Sequence, residues 1–351
     1  MGDSLFAGVI EGFFGKVWSW QARREMVSFL GRSGFGFYIY APKSDAFLRR
    51  RWREPIPDDS MQSLAALAGH CRAAGITFGV GLSPFEIWRD NDAQARSQLR
   101  AKVRQLDQLG ADLLCILFDD MRGDTPGLAR LQCAIVEDIA GWSRASRFLF
   151  CPTYYSTDPL LARVFGEPPA GYLEDVGRGL DTRVEAFWTG QAVCSDCYPA
   201  PHLEEVARIL RRKPFLWDNN IANDAKSRCA RIFLQPDSGR WELRTELAAG
   251  IAINPMNQPA LSQIALCEYR RLLQLRGVAA ADCCADAGPE VGRLLRENLT
   301  LWQTEGLGSL DAGGREAWAQ RFAAHPGNAV AVDMLNWLRG EYQFDPACLT
   351  D

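Results

Sequence analysis

Short apolar or alternating runs recur along the first three-quarters of the chain, with stretches of helical periodicity between them. The runs at 6–11, 36–41, 77–82, 113–118, 148–152, 184–189, 215–217 and 250–254 read as strands. Amphipathic stretches at 21–30, 60–74, 94–109, 128–142 and 259–275 carry apolar residues at three- and four-residue spacing and read as helices. Eight such β-then-α repeats over roughly 270 residues match the size and count of a (β/α)8 TIM barrel of the α/β class. Beyond about residue 275 the alternation stops. Helical stretches at 290–302, 314–324 and 329–342 are separated by glycine-containing turns, which predicts a small C-terminal all-helical appendage. The expected division is therefore 1–275 for the barrel and 276–351 for the helical region. Trp302, Trp318 and Trp337 of that region are candidates to pack on the barrel or to form a partner surface.

In a barrel of this kind the active site is assembled from the C-terminal ends of several strands and the loops after them. Here those ends are polar: Glu11-Gly12, Lys43, Ser83, Asp119-Asp120, Thr153 with Tyr155, Trp188-Thr189, Asp218-Asn219 and Asn254. Any one of them reads as a turn or capping residue. Together they predict a polar pocket. The apolar run 113–118 ends in two adjacent carboxylates, Asp119 and Asp120. Buried side by side they repel, so one tends to hold its proton near neutral pH while the other stays ionised. That is the division of labour between a general acid and an electrostatic partner. A solvated strand end or a helix cap is the other reading of the pair.

Composition narrows the partners. The chain has 351 residues, 47% of them hydrophobic and 23% charged, which is the balance of a folded globular protein. A formal net charge of −4 gives no basic footprint for nucleic acid or an anionic membrane. The first residues lack a basic stretch followed by an apolar core, and no run of about 18 apolar residues follows, so a cytoplasmic protein is expected. The 11 cysteines are an odd number scattered through apparent strands and helices, as buried reduced thiols are. Cys194 and Cys197 have CxxC spacing but no second pair to complete a zinc site. Only His70, His202 and His325 are present, too few for histidine-rich metal chemistry, and His70 and His202 read as surface or helix-start residues. No metal and no cofactor is implied.

The order of motifs resembles one family. Gly8-Val9-Ile10-Glu11-Gly12-Phe13-Phe14-Gly15, Tyr38-Ile39-Tyr40-Ala41-Pro42-Lys43 and Trp52-Arg53-Glu54-Pro55 are similar to the O-GlcNAcases, glycoside hydrolase family 84. Leu117-Phe118-Asp119-Asp120, Cys151-Pro152-Thr153 with Tyr155, Trp188-Thr189-Gly190, Trp217-Asp218-Asn219 with Asn223-Asp224, and Asn254-Pro255-Met256 follow in the same order, so the resemblance covers about residues 5–270. It implies a retaining exo-β-N-acetylglucosaminidase acting on O-GlcNAc-modified proteins or peptides or on small β-GlcNAc glycosides. In such enzymes the substrate's own acetamido oxygen attacks, forming an oxazoline, so the usual enzyme nucleophile is not needed. By resemblance Asp119 orients the acetamide N–H and stabilises the forming ring, while Asp120 protonates the leaving oxygen and then activates water. Lys43, Gly12, Tyr155, Trp217, Asn219, Asp224 and Asn254 are the implied substrate-binding residues. Tyr155 is expected to donate to the acetamido oxygen, Trp217 to wall the N-acetyl methyl, and Lys43, Asn219, Asp224 and Asn254 to meet sugar hydroxyls.

Three positions depart from the family pattern: Phe14 stands for a common Tyr, Ser44 for an Asp, and Tyr154 for an acidic residue. They bear on supporting contacts and aglycone preference, since none is one of the paired carboxylates. The larger N-terminal domain of many bacterial relatives is not expected, because the first strand begins almost at once. The competing readings are a hyaluronidase-like endo activity, a catalytically weak GlcNAc-binding scaffold, and a metal-dependent hydrolase ligated by Asp119 and Asp120. A homodimer through the C-terminal helices is compatible with the pattern.

Overall fold

The computed structural model describes residues 5–275, 283–284 and 287–350. Of the Ala-, Cys- and Asp-rich stretch 279–288, most therefore lies outside the described residues. Strands β1 (Ala7–Glu11), β2 (Phe37–Tyr40), β3 (Thr77–Leu82), β4 (Leu113–Leu117), β5 (Arg147–Cys151), β6 (Val184–Trp188), β7 (Phe215–Asp218) and β8 (Gly250–Ile253) pair in parallel in chain order. β1 closes on β8 with Gly8 opposite Ala252, completing the predicted barrel. Each strand was expected within a residue or two of where it lies, because each is a short apolar run ended by a polar or turn residue.

Helices α1 (Trp20–Arg32), α2 (Asp58–Ala73), α3 (Ala93–Asp107), α4 (Leu128–Trp142), α5 (Pro159–Phe165), α6 (Tyr172–Gly179), α7 (Ala200–Leu210) and α8 (Pro259–Leu272) surround the barrel. Their starts follow from local chemistry. Ser19 caps α1 by accepting from the Ala22 N–H, and Asp92 caps α3 by accepting from Ala95. In α3 the apolar stripe Ala95, Leu99, Val103 and Leu106 is the buried face. The helices α5, α6 and α7 are 7, 8 and 11 residues long, too short for periodicity to mark them clearly, and they go beyond the sequence expectation.

The bottom of the barrel is closed by aromatic packing. Phe6 meets Phe37 with ring centroids 4.7 Å apart, and Phe37 meets Phe215 at 5.9 Å. Arg147 lies over the Phe6 ring and pairs with Glu185 at 2.5 Å.

The C-terminal helices α9 (Pro289–Glu297), α10 (Ala312–Ala323) and α11 (Ala329–Leu338) belong to the same buried apolar cluster as the barrel. The expected helix 290–302 ends early. Asn298 turns its side-chain amide onto the Leu294 carbonyl at 2.9 Å, and a single π turn, Leu301–Glu305, follows. Trp302 and Trp337 are buried, and Trp302 stacks edge-on against Trp318 at 4.7 Å. The Trp337 indole N–H donates to the Cys229 carbonyl at 3.0 Å in the β7–β8 loop. Trp302 and Trp337 are therefore packed inward, Trp337 onto the barrel's β7–β8 loop, while Trp318 is half-buried against Trp302 and Phe322. Among the described residues no helix is long and apolar enough to cross a membrane.

Candidate active site

Strand side chains normally alternate between faces, so neighbours in sequence point apart. Asp119 and Asp120 escape this rule. Asp120 has φ of 56°, a left-handed conformation that costs a non-glycine residue about 1–3 kcal/mol. With the alternation broken, both carboxylates reach one ammonium: Lys43 pairs with Asp119 Oδ2 and lies 3.3 Å from Asp120 Oδ2. The kink is held from several sides. The Phe118 N–H donates to the Cys151 carbonyl at 2.9 Å, and the Thr153 hydroxyl donates to the Phe118 carbonyl at 2.8 Å. Gln132 donates in turn to Thr153 Oγ1 at 2.8 Å, and Arg49 Nη2 reaches the Asp120 carbonyl at 3.4 Å.

All three charged groups are buried, at 8% exposure for Lys43, 5% for Asp119 and 6% for Asp120. Burial pushes the Asp120 carboxyl above the usual range. Lys43 pulls it back, Asp119 pushes it up, and the Arg49 guanidinium opposes, with the net direction upward. Burial alone would lower the Lys43 ammonium, but Asp119 and Asp120 more than offset that and leave it raised. Asp119 Oδ1 is buried and accepts no hydrogen bond from the protein. A carboxylate oxygen in that condition is expensive unless a ligand donor meets it.

These groups line one pocket together with Gly12, Tyr155, Trp217, Asn219, Asp224 and Asn254. Every site residue expected from the sequence is brought to it. The cavity wall is hydrogen-bonded to itself: the Trp217 indole N–H donates to Asn219 Oδ1 at 2.9 Å, and the Asn254 amide donates to the same oxygen at 3.0 Å. Asn254 Oδ1 accepts from the Gly12 N–H at 3.1 Å. A β-carbon on Gly12 would fall 2.5 Å from Trp217 Cζ2, so only glycine lets the indole lie against the first strand end. Asp224 Oδ2 accepts from the Phe14 N–H at 2.8 Å, and burial raises its carboxyl despite that bond. Burial likewise raises the Tyr155 phenol well above its ordinary value, keeping it a neutral O–H donor.

A family model described as β-N-acetylglucosaminidase matches residues 7–279, the barrel with all of these residues. The chain belongs to the β-N-acetylglucosaminidase family. It is 33% identical over 261 residues to the protein O-GlcNAcase of Mus musculus, covering 72% of this chain and 28% of that protein, and it matches the Rattus norvegicus O-GlcNAcase to the same extent. The matched stretch is thus under a third of the length of these curated relatives. A mutant of the Thermobaculum terrenum O-GlcNAc hydrolase superposes with a TM-score of 0.72 at 23% identity, covering 95% of this chain and 80% of that one, and so shares the fold.

Within this β-N-acetylglucosaminidase barrel, not every polar strand end faces the pocket. Glu11 is fully buried and takes Arg23 in a bidentate pair, with contacts of 2.7 and 2.9 Å, together with the Tyr38 hydroxyl. Asp218 accepts from the Asn220 N–H at 2.9 Å and the Tyr269 hydroxyl at 3.0 Å, fixing the loop that carries Asn219. Arg49 borders the carboxylate pair with no sequence signal to mark it, since Arg49-Arg50-Arg51 has the pattern of a solvated charge run. Its guanidinium instead packs between the rings of Phe14 and Phe85, 5.5 and 4.8 Å from their centroids. Among the described residues no cluster of His, Cys, Asp and Glu has the arrangement of a metal site, at Cys194 and Cys197 included.

Proposed function

We propose that this chain is a retaining exo-β-N-acetylglucosaminidase of glycoside hydrolase family 84, removing terminal β-linked GlcNAc from Ser or Thr of proteins, or from small glycosides, through an oxazoline. The observation that carries the reading is two adjacent buried carboxylates sharing one lysine on a cavity walled by Tyr155, Trp217 and Asn219. Asp119 Oδ1, an acceptor with no protein donor, suits the acetamide N–H, and holding that group aims its carbonyl oxygen at the anomeric carbon. The same carboxylate stabilises the positive charge that spreads over the closing ring. Asp120, with its carboxyl raised by burial, suits the proton donor to the departing oxygen. Once ionised it can accept the proton of the water that opens the oxazoline. The Tyr155 O–H is the donor for the acetamido oxygen, and Asp224, Asn219 and Asn254 offer partners for ring hydroxyls that would otherwise lose their hydrogen bonds on burial.

In this reading residues 1–275 carry catalysis and the helices after them brace the β7–β8 loop. Cytoplasmic residence and a homodimer through those helices belong to the same proposal, and a monomer mass by light scattering would remove the dimer. The test is hydrolysis of 4-methylumbelliferyl β-GlcNAc followed by NMR of the first-formed sugar. Release of β-GlcNAc before mutarotation is expected, with turnover unaffected by a chelator and hyaluronan left intact. First release of the α-anomer, or loss of turnover to the chelator, would overturn it.

A further inference from the structure

Where β4 and β5 reach the pocket, their hydrogen-bond ladder is diverted through two helices outside the barrel. In a parallel pair the bonds follow one another at even spacing, so after the Phe118 N–H meets the Cys151 carbonyl the next partners are the Thr153 N–H and the Phe118 carbonyl. Their direct bond is replaced. The Thr153 N–H donates to the Tyr172 hydroxyl of α6 at 3.2 Å, and that hydroxyl donates to Gln132 Oε1 of α4. Gln132 Nε2 donates to the Thr153 hydroxyl at 2.8 Å, which donates to the Phe118 carbonyl at 2.8 Å. The direction of this circuit is fixed at both ends, because a backbone N–H can only donate and a carbonyl can only accept. All three side chains belong to buried residues, at 2% exposure for Gln132, 0% for Thr153 and 3% for Tyr172. Burial holds the Tyr172 phenol well above its ordinary value, which keeps its proton for Gln132. Tyr154 braces the phenol ring from the side, edge-on with centroids 5.2 Å apart.

We propose that Thr153 and Tyr172, joined through Gln132, are positioning residues for the glycosidase reaction: their circuit ends the β4–β5 ladder at Phe118 and so sets where Asp119 and Asp120 stand. This rests on the glycosidase reading, which gives those two carboxylates their roles. Had the ladder run on, residues 119 and 120 would be extended and point to opposite faces, and only one could reach Lys43. Both do reach it. Ending the ladder one bond short leaves Asp120 free to take its left-handed conformation, φ 56°. The substitute is elaborate, since four buried hydrogen bonds stand where one backbone bond would satisfy the same two groups. A buried polar network of this kind, with every member satisfied, is rigid and specifies one arrangement. Thr153, Gln132 and Tyr172 stand behind the pocket wall and do not line it, so they act through the placement of the carboxylates.

The test opens the circuit at each end. Tyr172→Phe keeps the ring and takes the partner from the Thr153 N–H, while Thr153→Val keeps the shape and takes the hydroxyl from the Phe118 carbonyl. In either variant the direct ladder bond can re-form and draw the strand end straight. For 4-methylumbelliferyl β-GlcNAc, kcat/KM per folded enzyme should fall about tenfold to 10²-fold, the scale of a misplacement of about 1 Å. The Kd of a GlcNAc-configured thiazoline, whose ring meets Asp119, should rise by the same factor. The Kd of free GlcNAc should rise far less, because its hydroxyl partners Asn219, Asp224 and Asn254 are untouched. The double variant should be no worse than either single one, since the two changes open one circuit. Thr153→Ser restores the hydroxyl and should rescue most of the activity that Thr153→Val loses. A role in stability alone would lower the urea midpoint and leave kcat/KM and the thiazoline Kd where they were. That result, or losses that multiply in the double variant, overturns the positioning role alone. If the unaltered chain neither hydrolyses the substrate nor binds thiazoline, the glycosidase reading fails and this inference falls with it.

Discussion

Two buried charge clusters sit a few residues apart on the same barrel, and they are satisfied to different degrees. Around Glu11 both carboxylate oxygens are taken, by the Arg23 guanidinium and the Tyr38 hydroxyl, and no oxygen faces the cavity. Around Lys43 one ammonium serves two carboxylates, and Asp119 keeps a buried oxygen with no protein donor. A saturated cluster ties α1 and β2 to β1. The unsaturated one lies at a cavity wall with an acceptor left open, beside the strained left-handed backbone of Asp120. Buried charge alone therefore does not distinguish scaffold from site; the open valence does.

The contrast can be broken at Glu11 first, where the largest loss of stability is expected. Glu11→Ala leaves the Arg23 guanidinium buried without its carboxylate and should destabilise the fold by about 3–5 kcal/mol in urea unfolding. A loss under about 1 kcal/mol would mean that the cluster is not structural. Gly12→Ala comes next. Its methyl meets the Trp217 ring, and overpacking of this kind costs about 1–3 kcal/mol, here expected as a rise in KM as the indole is displaced. An unchanged KM would show that Trp217 does not shape the sugar site. The subtlest change is Arg49→Leu. The Arg49 guanidinium holds the Asp120 carboxyl lower than burial alone would set it, and Asp120 must be protonated to act as acid. Activity therefore falls as pH rises through the Asp120 pKa, and removing Arg49 should move that basic limb of kcat/KM to higher pH. A limb that stays or moves down would contradict the assigned proton donor.

The barrel was legible because each strand is a brief apolar run ending in a polar residue, and those endings predicted which side chains meet in the cavity. Parity explains the chief exception. Glu11 is a polar strand end like the others, yet its side chain is sealed against Arg23 and Tyr38, and it is Gly12 that borders the pocket. Arg49 was hidden in a charge run because its ring partners, Phe14 and Phe85, are distant in sequence. Cys348 and Thr350 also line the pocket, and they carry no local signal at all. Their place in the pocket depends on how α11 and the turn at Asp345 steer the chain across the barrel. Short α5, α6 and α7 carry weak signals because two or three turns give periodicity little length to register.

The roles of the paired carboxylates are tested most directly by one comparison: kcat/KM of the unaltered chain, Asp119→Asn and Asp120→Asn on aryl β-GlcNAc substrates of differing leaving-group pKa. With a poor leaving group, loss of the acid Asp120 should cost about 10²–10⁴-fold, and most of that loss should vanish with an activated leaving group that needs no proton. Loss of Asp119 should cost about 10²–10³-fold whichever group departs, since it acts on the ring that forms. Equal leaving-group dependence in the two variants, or the reverse order, would contradict the division of roles between Asp119 and Asp120.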